Sequence, residues 1–386
     1  MTVIKGIDRR QFLLGSSSAA LVAMMLPSCS ANSQQQWMVS SASDNQGKHY
    51  VAAVDIDGYL ISRVALPARG HDTLALPHKP GHALVFARSP NTFAMEINFI
   101  TGHITHQFEC GNDTYFCGHG ALSADGSKLF TSENQLNHNQ GMIVVRDTQS
   151  YQVLNRFASG GISPHELVML PNSNTLAVAN SGIVSVYGNS NSVDTPASKV
   201  TSRHFTQSNL AYIDADSGRV IAKLNAPEAG QSIRHLDVSP EGKVYIGMQY
   251  EGDTLKDSHK NQSPKQMSLI YSHQGNEGLK ASKASELQMQ RIQHQTSSVK
   301  VLNNLLAVTC PQSHCITFLH ADSLEVIEQQ EYQGAAGLTA INNMLVASNR
   351  EGKLRIYNNK VNLKYATEQT VASLRFDSHM TSIYSA

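Results

Sequence analysis

The stretch His119-Gly-Ala-Leu-Ser-Ala-Asp-Gly126, followed by Lys128-Leu-Phe-Thr131, sets the pattern on which the rest of the chain is built. A short alternating strand runs into Asp125-Gly126, a dipeptide typical of tight hairpins because glycine adopts a positive φ without steric cost. A second strand follows at once. The same arrangement recurs at Arg234-His-Leu-Asp-Val-Ser-Pro-Glu-Gly242 and Val244-Tyr-Ile-Gly247. Both segments predict antiparallel hairpins.

Each of these hairpins belongs to a unit of four short strands. The hairpin at 119–131 is followed by two more strands, Met142-Ile-Val-Val-Arg-Asp147 and Val153-Leu-Asn-Arg-Phe157. A similar pair of strands, Leu210-Ala-Tyr-Ile-Asp214 and Val220-Ile-Ala-Lys-Leu224, precedes the hairpin at 234–247. Four antiparallel strands per unit, repeated along the chain, are typical of β-propeller blades. Seven copies are recognised by their first strands, which lie near His49, Asp72, His119, His165, His235, Ser297 and Gly337.

The repeat predicts an all-β fold, a seven-bladed β-propeller of the WD40 or YVTN kind. The two longest gaps between strands, about 183–208 and 251–267, are polar, and we interpret them as surface loops. We expect a terminal strand at about 371–376 to pair with strands near the N-terminus, since closure of the ring removes exposed strand edges. Two separate β-sandwiches are the alternative, but the evenly spaced hairpins favour the ring.

An export signal precedes the propeller. Arg9 and Arg10 lead into a weakly apolar stretch, residues 12–26, which is broken by Gly15 and three serines. It falls short of the ~20 apolar residues that a membrane-spanning helix requires. The twin-arginine pattern predicts that the Tat translocase exports the folded protein and that residues 1–28 are a signal peptide.

Cys29 is the predicted site of a lipid anchor. Leu26-Pro-Ser-Cys29 resembles a lipoprotein cleavage site, and each buried CH₂ of an acyl chain contributes ~0.8 kcal/mol to membrane anchoring. Cleavage near Ala31, giving a soluble periplasmic protein, is the alternative. We expect residues 29–36 to form the lipidated tether and residues 37–386 the propeller. Serine rather than aspartate follows the cysteine, so the expected location is the periplasmic side of the outer membrane.

Composition argues against several functions. Lys plus Arg and Asp plus Glu both number 30, so the chain has no global basic field that would recruit nucleic acid. The sequence has no glycine-rich phosphate loop, no Gly-x-Ser-x-Gly elbow and no His-Glu-x-x-His motif, which leaves nucleotide binding, serine hydrolysis and zincin proteolysis without support. Because Cys-x-x-Cys-His is also missing, covalent c-type haem is not expected.

Four cysteines besides Cys29 are candidates for disulfides. They are Cys110, Cys117, Cys310 and Cys315, an even number in an oxidising compartment. The simplest expectation is a bond within each close pair, with free buried thiols as the alternative.

Histidine is the compositional outlier, with 17 residues. Four of the predicted blades open their first strand with one: His71, His119, His165 and His235. The innermost strands of a propeller run along its central channel, so we expect these residues to meet at one channel mouth. Counting across the hairpins adds three polar side chains to the same rim, namely Glu133, Asn180 and Gln249. Glu166 and Arg234 lie beside the histidines in sequence.

Imidazole and carboxylate groups together suit a divalent transition metal such as iron, copper or zinc. The predicted ligands are His119, Glu133, His165, Glu166 and His235, with Asn180 and Gln249 as further contacts to a bound cofactor. A different hypothesis is a lactonase- or quinoprotein-like enzyme, in which Glu133 or His165 is a general base and Arg234 orients an anionic substrate. A third is a protein-interaction scaffold, in which the histidines only stabilise the strands.

Several of these motifs resemble those of a known family. The matching stretches are Gly118–Gly126, Thr131-Ser-Glu-Asn134, Pro164-His-Glu-Leu167, Val178-Ala-Asn-Ser-Gly182, Ser232–Pro240 and Gly247-Met-Gln-Tyr250. Together they resemble the DUF1513 family of Tat-exported bacterial propellers, over nearly the whole mature chain. Its members accompany imelysin-type and di-haem proteins in exported iron-acquisition systems. The resemblance therefore implies a role near iron uptake, with periplasmic iron-uptake proteins as partners, and it implies no catalytic residue.

Overall fold

A computed structural model describes residues 35–136, 140–187, 200–252, 267–358, 363–371 and 373–385 of the chain. The predicted signal peptide and the predicted lipidation site at Cys29 lie outside these residues. The described strands form seven blades around a central axis, so the prediction of a seven-bladed propeller is confirmed.

Each blade is a four-stranded antiparallel sheet that runs outward from the axis. The chain enters in blade 1 with β1 (Gln36–Ser43), β2 (His49–Val54) and β3 (Leu60–Ala65). Blade 2 consists of β4 (Gly70–Ala75), β5 (His82–Ala87), β6 (Phe93–Asn98) and β7 (His103–Glu109). Blade 3 consists of β8 (Thr114–Leu122), β9 (Lys128–Gln135), β10 (Gln140–Asp147) and β11 (Val153–Ile162).

Blade 4 contains an inserted hairpin. Its strands are β12 (Pro164–Met169), β13 (Thr175–Asn180), β16 (Asn209–Asp214) and β17 (Val220–Asn225), and the insert is β14 (Ile183–Tyr187) paired with β15 (Val200–Phe205). The segment that the sequence suggested to be a surface loop thus contains regular structure. Its two strands pair only with each other and leave the order of the blade unchanged.

Three further blades complete the ring. Blade 5 has β18 (Gln231–Val238), β19 (Val244–Tyr250), β20 (Ile270–His273) and β21 (Lys280–Ala281); blade 6 has β22 (Val299–Leu302), β23 (Leu305–Cys310), β24 (Cys315–His320) and β25 (Val326–Glu331). Blade 7 has β26 (Ala335–Ile341), β27 (Met344–Asn349), β28 (Lys353–Asn358) and β29 (Tyr365–Thr370). A short helix, α1 (Glu286–Gln290), is capped by Ser285. Among the described residues, no helix has the length and apolar character needed to span a membrane.

The ring is closed by strands from the C-terminus. β30 (Arg375–Phe376) and β31 (Thr381–Tyr384) both pair with β1 and form the innermost layer of blade 1. This confirms the expected closure, although the pairing begins at Arg375 rather than at residue 371. It also corrects the position of His49, which opens the third layer of blade 1 instead of the innermost one, because the C-terminal strands occupy the inner place.

The outermost strand of each blade is its most exposed strand. In β5 the run Leu84-Val-Phe-Ala87 is fully buried, whereas almost every residue of β7 in the same blade is exposed. Adjacent blades pack face to face, as where Phe130 and Ile143 of blade 3 share a core cluster with Leu167 and Val178 of blade 4. Strands covered on both faces carry continuous apolar runs, which accounts for the sequence of β5.

All four cysteines that the structure describes have free thiols, so the expected disulfides are not formed. Cys310 and Cys315 are paired across β23 and β24. Instead of a bond to each other, both thiols contact the hydroxyl of Thr317, with sulfur-to-Oγ1 distances of 3.9 and 4.0 Å. Burial raises the pKa of each thiol, which disfavours the thiolate form needed for disulfide exchange. The structure agrees with the alternative of free, largely buried thiols.

A buried carboxylate ties blade 2 to blade 3. Glu96 accepts hydrogen bonds from Lys79 at 2.9 Å and from the hydroxyl of Tyr151 in blade 3 at 2.5 Å, and it also contacts His82 and His106. Burial alone would raise the pKa of Glu96, but the hydrogen bonds from Lys79, Tyr151 and His82 lower it to about 2. The ionised form therefore stabilises the folded state.

If the C-terminal strands close the ring, substitutions of their buried residues should destabilise the protein more than substitutions of their exposed ones. Phe376 is 2% exposed, whereas Tyr384 is 52% exposed. We expect Phe376→Ala to lower the free energy of unfolding by about 3–5 kcal/mol, because it empties a closely packed site. Tyr384→Ala is the control and should change it by less than about 0.5 kcal/mol. Equal effects in urea unfolding would contradict this account of the closure.

The Glu96 cluster predicts a pH-dependent contribution to stability. Because the folded-state pKa lies below the ordinary value, the stabilisation is present above about pH 4.5 and is lost as the pH falls toward 2. We expect Glu96→Gln to cost about 2 kcal/mol at pH 7, after allowance for the partial solvent screening of Lys79. Unfolding measured at pH 7, 5 and 3 should show the two proteins converging. A constant difference over this range would refute the assignment.

Candidate metal centre

The innermost strands are interrupted where the sequence places histidines. In β4 the register shifts between Gly70 and Thr73, so that His71 and Asp72 form a β-bulge. Equivalent shifts occur at His119 in β8, at His165 in β12, at Arg234 beside His235 in β18, and at Gly337 in β26. A bulge takes a side chain out of the strand's regular alternation and re-aims it. Here the re-aimed side chains face the axis.

Buried hydroxyl groups satisfy backbone atoms at these bulges. Oγ of Ser132 donates to the carbonyl of His119 at 3.3 Å, and Oγ of Ser208 accepts from the amide of Ile233 at 2.7 Å. An unpaired buried backbone group costs about 1–3 kcal/mol. The hydroxyls therefore stabilise strands whose ladder of hydrogen bonds is broken.

Five imidazoles meet on the axis, and five different blades supply them. They are His379, His71, His119, His165 and His235, from blades 1 to 5 respectively. The ring centroid of His119 lies 4.6 Å from those of His165 and His379 and 4.8 Å from that of His71. The centroid of His235 lies 4.9 Å from that of His165 and 5.1 Å from that of His379. The structure thus brings together the four histidines identified from the sequence and adds a fifth.

Several nitrogens of this cluster are buried without a hydrogen-bond partner among the described residues. They are Nε2 of His119, Nδ1 of His165, Nδ1 of His235 and Nε2 of His379. Unsatisfied buried polar atoms are rare in folded proteins, and each one needs a physical explanation. The four atoms lie in one cluster, so they share one explanation.

Three carboxylates flank the imidazoles: Asp72, Glu166 and Asp377, whose Oδ1 lies 3.5 Å from Nδ1 of His71. Oδ2 of Asp72 lies 3.1 Å from Nδ1 of His119, within hydrogen-bond distance. This contact holds the proton on Nδ1 and leaves Nε2 of His119 as the atom that faces the cluster, as in the carboxylate–histidine pairs of metal sites. Oε2 of Glu166 accepts from the amide of Leu236 at 3.1 Å and lies 3.4 Å from Nδ1 of His235, without hydrogen-bond geometry.

Burial keeps most of the cluster uncharged. It lowers the pKa of His71, His165 and His235 well below the ordinary value and that of His379 to about 4. These four side chains are therefore neutral at pH 7, which is the form of imidazole that binds metal ions.

His119 and the carboxylates behave differently. Burial lowers the pKa of His119, but the hydrogen bond to Asp72 outweighs it, and the pKa lies above the ordinary value. Burial opposes ionisation of Asp72 as well, yet the same bond lowers its pKa. Burial raises the pKa of Glu166. The negative charge of Asp72 would therefore attract a cation into the cluster. The cation would also offset the cost of ionising the buried carboxyl of Glu166.

Three overlapping sets of side chains have the spacing of metal ligands, with one potential ligand atom from each residue within 4.8 Å of the others. The sets are His71, His119 and His165; Asp72, His119 and His379; and Glu166, His235 and His379. Two of them combine two imidazoles with one carboxylate, a donor set that suits zinc or iron and leaves positions open for a further ligand.

Glu133, a predicted ligand and candidate base, lies outside all three sets. Its carboxylate is fully buried and accepts from Nη2 of Arg146 at 2.7 Å and from the hydroxyls of Thr114 and Thr131 at 3.0 Å each. The structure therefore gives Glu133 a structural ion pair within blade 3.

The displacement of Glu133 has a simple cause. Counting across the hairpin puts it opposite His119, but the bulge at 117–119 shifts the register, and Glu133 pairs with Phe116. A hairpin count assumes an unbroken ladder, and this ladder is broken at the residue of interest.

The two predicted cofactor contacts have different positions. Asn180 is buried, accepts from Oγ of Ser159 at 2.6 Å and holds neighbouring strands together. Gln249 instead lines a cavity of about 280 Å³ at the channel mouth, together with Arg234 and with His71, His165 and His235 of the cluster. Asn180 is not among the residues that line this cavity.

His379 and Asp72 are the cluster residues that sequence reasoning missed. His379 lies between the two C-terminal strands. Because β31 pairs with β1 as the innermost strand of blade 1, the histidine just before it has a position similar to those of His71 and His119. Only this position in the blade could have identified it. Asp72 directly follows His71 in the same bulge, so the sequence pair His-Asp was itself the signal.

The fold is similar to those of several solved structures. Hydrazine synthase of Kuenenia stuttgartiensis is 13% identical with a TM-score of 0.59, over 82% of this chain and 92% of that one. A functionally unknown protein from Desulfotomaculum acetoxidans is 10% identical with a TM-score of 0.59, over 91% and 99%. At such identities the similarity shows the fold alone. No curated protein has significant sequence similarity to this chain.

The family described as "Protein of unknown function (DUF1513)" matches residues 64–383, a span that includes all five axial histidines. This match covers most of the chain and confirms the resemblance found in the motifs. The protein therefore belongs to the DUF1513 family of β-propellers, whose function is unknown.

Proposed function

We propose that this propeller binds a divalent transition-metal ion in its axial histidine cluster. The observation that carries the proposal is the set of four buried imidazole nitrogens that have no hydrogen-bond partner among the described residues. A purely structural role would leave these atoms desolvated without compensation, at a cost of about 1–3 kcal/mol each. A bound ion would satisfy several of them at once.

The donor set supports iron, zinc or copper over magnesium or calcium. Imidazole nitrogen is preferred by the first group, whereas hard cations take oxygen ligands. Asp72 and Glu166 supply the negative charge that balances a divalent ion. The three overlapping sets together contain five imidazoles and two carboxylates, and they offer alternative positions for an ion.

The proposed cellular setting is the periplasm. It is supported by Arg9 and Arg10, which precede the apolar stretch, and by Cys29 in a lipoprotein-like context. We propose that the exported protein, anchored by lipid at the outer membrane, is an accessory of iron or metal handling and works with periplasmic iron-uptake proteins. Membrane fractionation of cells that express wild-type or Cys29→Ala protein tests the anchor, since loss of the lipid should release the propeller into the soluble fraction.

Metal analysis tests the central proposal. We expect the purified full-length protein, after incubation with Zn²⁺, Fe²⁺ or Cu²⁺ and removal of free metal, to retain at least one ion per chain for one of these metals. His119→Ala and His379→Ala should weaken binding by at least ~10-fold, because each removes a ligand shared by two sets. His320, whose side chain is exposed at the end of β24, provides the control His320→Ala.

Correct folding of each variant is checked by circular dichroism. Metal binding by the wild type should also raise the melting temperature, since a ligand at 100 times its Kd adds about 2.7 kcal/mol of stability. Folded wild-type protein without bound metal, or unchanged binding in both axial variants, would remove the proposal.

Substitution of Glu133 separates a structural role from ligation. Glu133→Gln leaves the guanidinium of Arg146, which is 3% exposed, without its charged partner. Loss of one partner of a buried ion pair costs about 3–5 kcal/mol, so we expect a large decrease in the free energy of unfolding. Metal content per folded chain should equal that of the wild type. A stable variant that binds less metal would show that Glu133 reaches the ion after all.

A further inference from the structure

The cavity above the histidine cluster is rich in arginine. Four arginines line it: Arg88, Arg203, Arg234 and Arg350. They come from separate parts of the fold. Arg88 directly follows β5, Arg350 directly follows β27, Arg234 lies in the bulge of β18, and Arg203 belongs to β15 of the inserted hairpin. Guanidinium groups from four blades thus converge on one small space.

The carboxylates around this cavity do not balance the arginines. Arg234 pairs with Glu251 at 2.7 Å, and Arg88 lies 3.9 Å from Asp377, a carboxylate that also accepts from Nε of Arg69. Within the part of the chain that the structure describes, Arg203 and Arg350 have no ion pair.

The arginines also affect one another. Burial lowers the pKa of Arg88, and the nearby charges of Arg69, Arg234 and Arg350 lower it further. Burial likewise lowers the pKa of Arg234, and the nearby charge of Arg203 lowers it further. The mouth of the channel therefore carries excess positive charge, which bound negative charge would relieve.

Cavity and cluster share a wall. His71, His165 and His235 line the cavity on its inner side, and the same three imidazoles belong to the proposed ligand sets. At about 280 Å³ the cavity is near the lower end of the ~300–1,000 Å³ range of small-molecule sites. It suits a compact ligand and is too small for a polymer or a lipid.

We propose that this cavity binds a small oxyanion with at least two negative charges, such as a dicarboxylate or phosphate, between the arginines and the axial histidines. Guanidinium groups bind carboxylate and phosphate oxygens through paired, charge-assisted hydrogen bonds. One oxygen of the anion would face the inner wall and complete the coordination of the ion. That last contact rests on the proposed function, whereas the attraction of the arginines for the anion does not.

Malonate and inorganic phosphate are suitable probes, titrated calorimetrically into the metal-free and the Zn²⁺-loaded full-length protein. We expect saturable binding of at least one of them, weakened by added salt, as screening requires. Arg203→Gln with Arg350→Gln should weaken it at least ~10-fold while the metal stoichiometry stays at the wild-type value. Both side chains are exposed and have no described ion pair, so the substitutions spare the fold. Arg219→Gln, which removes an exposed arginine outside the cavity, is the control.

The outcomes separate the two proposals. Metal binding without binding of either anion, or equal anion affinity in the double variant and the control, overturns the anion site and leaves the metal centre intact. Anion binding that the double variant loses, in a protein that takes up no metal, supports the anion site and contradicts the metal centre. Tighter anion binding by the Zn²⁺-loaded protein supports direct contact with the ion. A preference for malonate or for phosphate distinguishes carboxylate from phosphate ligands.

Discussion

The centre of this molecule depends on β-bulges, which add one or two residues to the innermost strand of a blade. In a regular strand, side chains alternate between the two faces, and in a propeller both faces pack against neighbouring blades. An imidazole in such a strand would lie in an apolar interface. The bulge at His71 and Asp72, and its equivalents in other blades, turns the polar side chains toward the axis instead. The apolar interfaces between blades remain intact.

Much of this arrangement was predictable from the sequence because it follows from repetition. Asp-Gly hairpins such as Asp125-Gly126 mark the blades, and equivalence between blades predicts that His71, His119, His165 and His235 converge. Two features were not accessible in this way. His379 follows no hairpin, since it lies in the closing segment, and only the pairing of β31 with β1 reveals its equivalence to the others. The true place of Glu133 depends on a register shift of two residues, which periodicity does not encode.

Electrostatics divides the channel into two layers. The inner layer contains imidazoles that burial holds neutral, together with the carboxylates of Asp72 and Glu166. The outer layer contains arginines in excess over their acidic partners. This division supports the proposals of a cation in the first layer and an anion in the second, and two such ligands would attract each other. The inserted hairpin of blade 4 contributes Arg203 to the outer layer, which gives a physical role to a segment that the blade itself does not require.

In blade 7 the bulge contains Gly337, whereas the bulges of blades 2, 3 and 4 each contain a histidine. A Cβ atom at this position would lie 2.8 Å from the carbonyl carbon of His379 and 2.9 Å from the amide nitrogen of Met380, both of them backbone atoms that cannot swing aside. The close approach of Gly337 to the backbone of His379 and Met380 thus fixes both the closing segment and the position of the fifth imidazole. A ring whose last strand had slipped along β1 would also carry its histidine out of reach of the other four. The complete histidine cluster therefore forms only when the ring closes in the correct register.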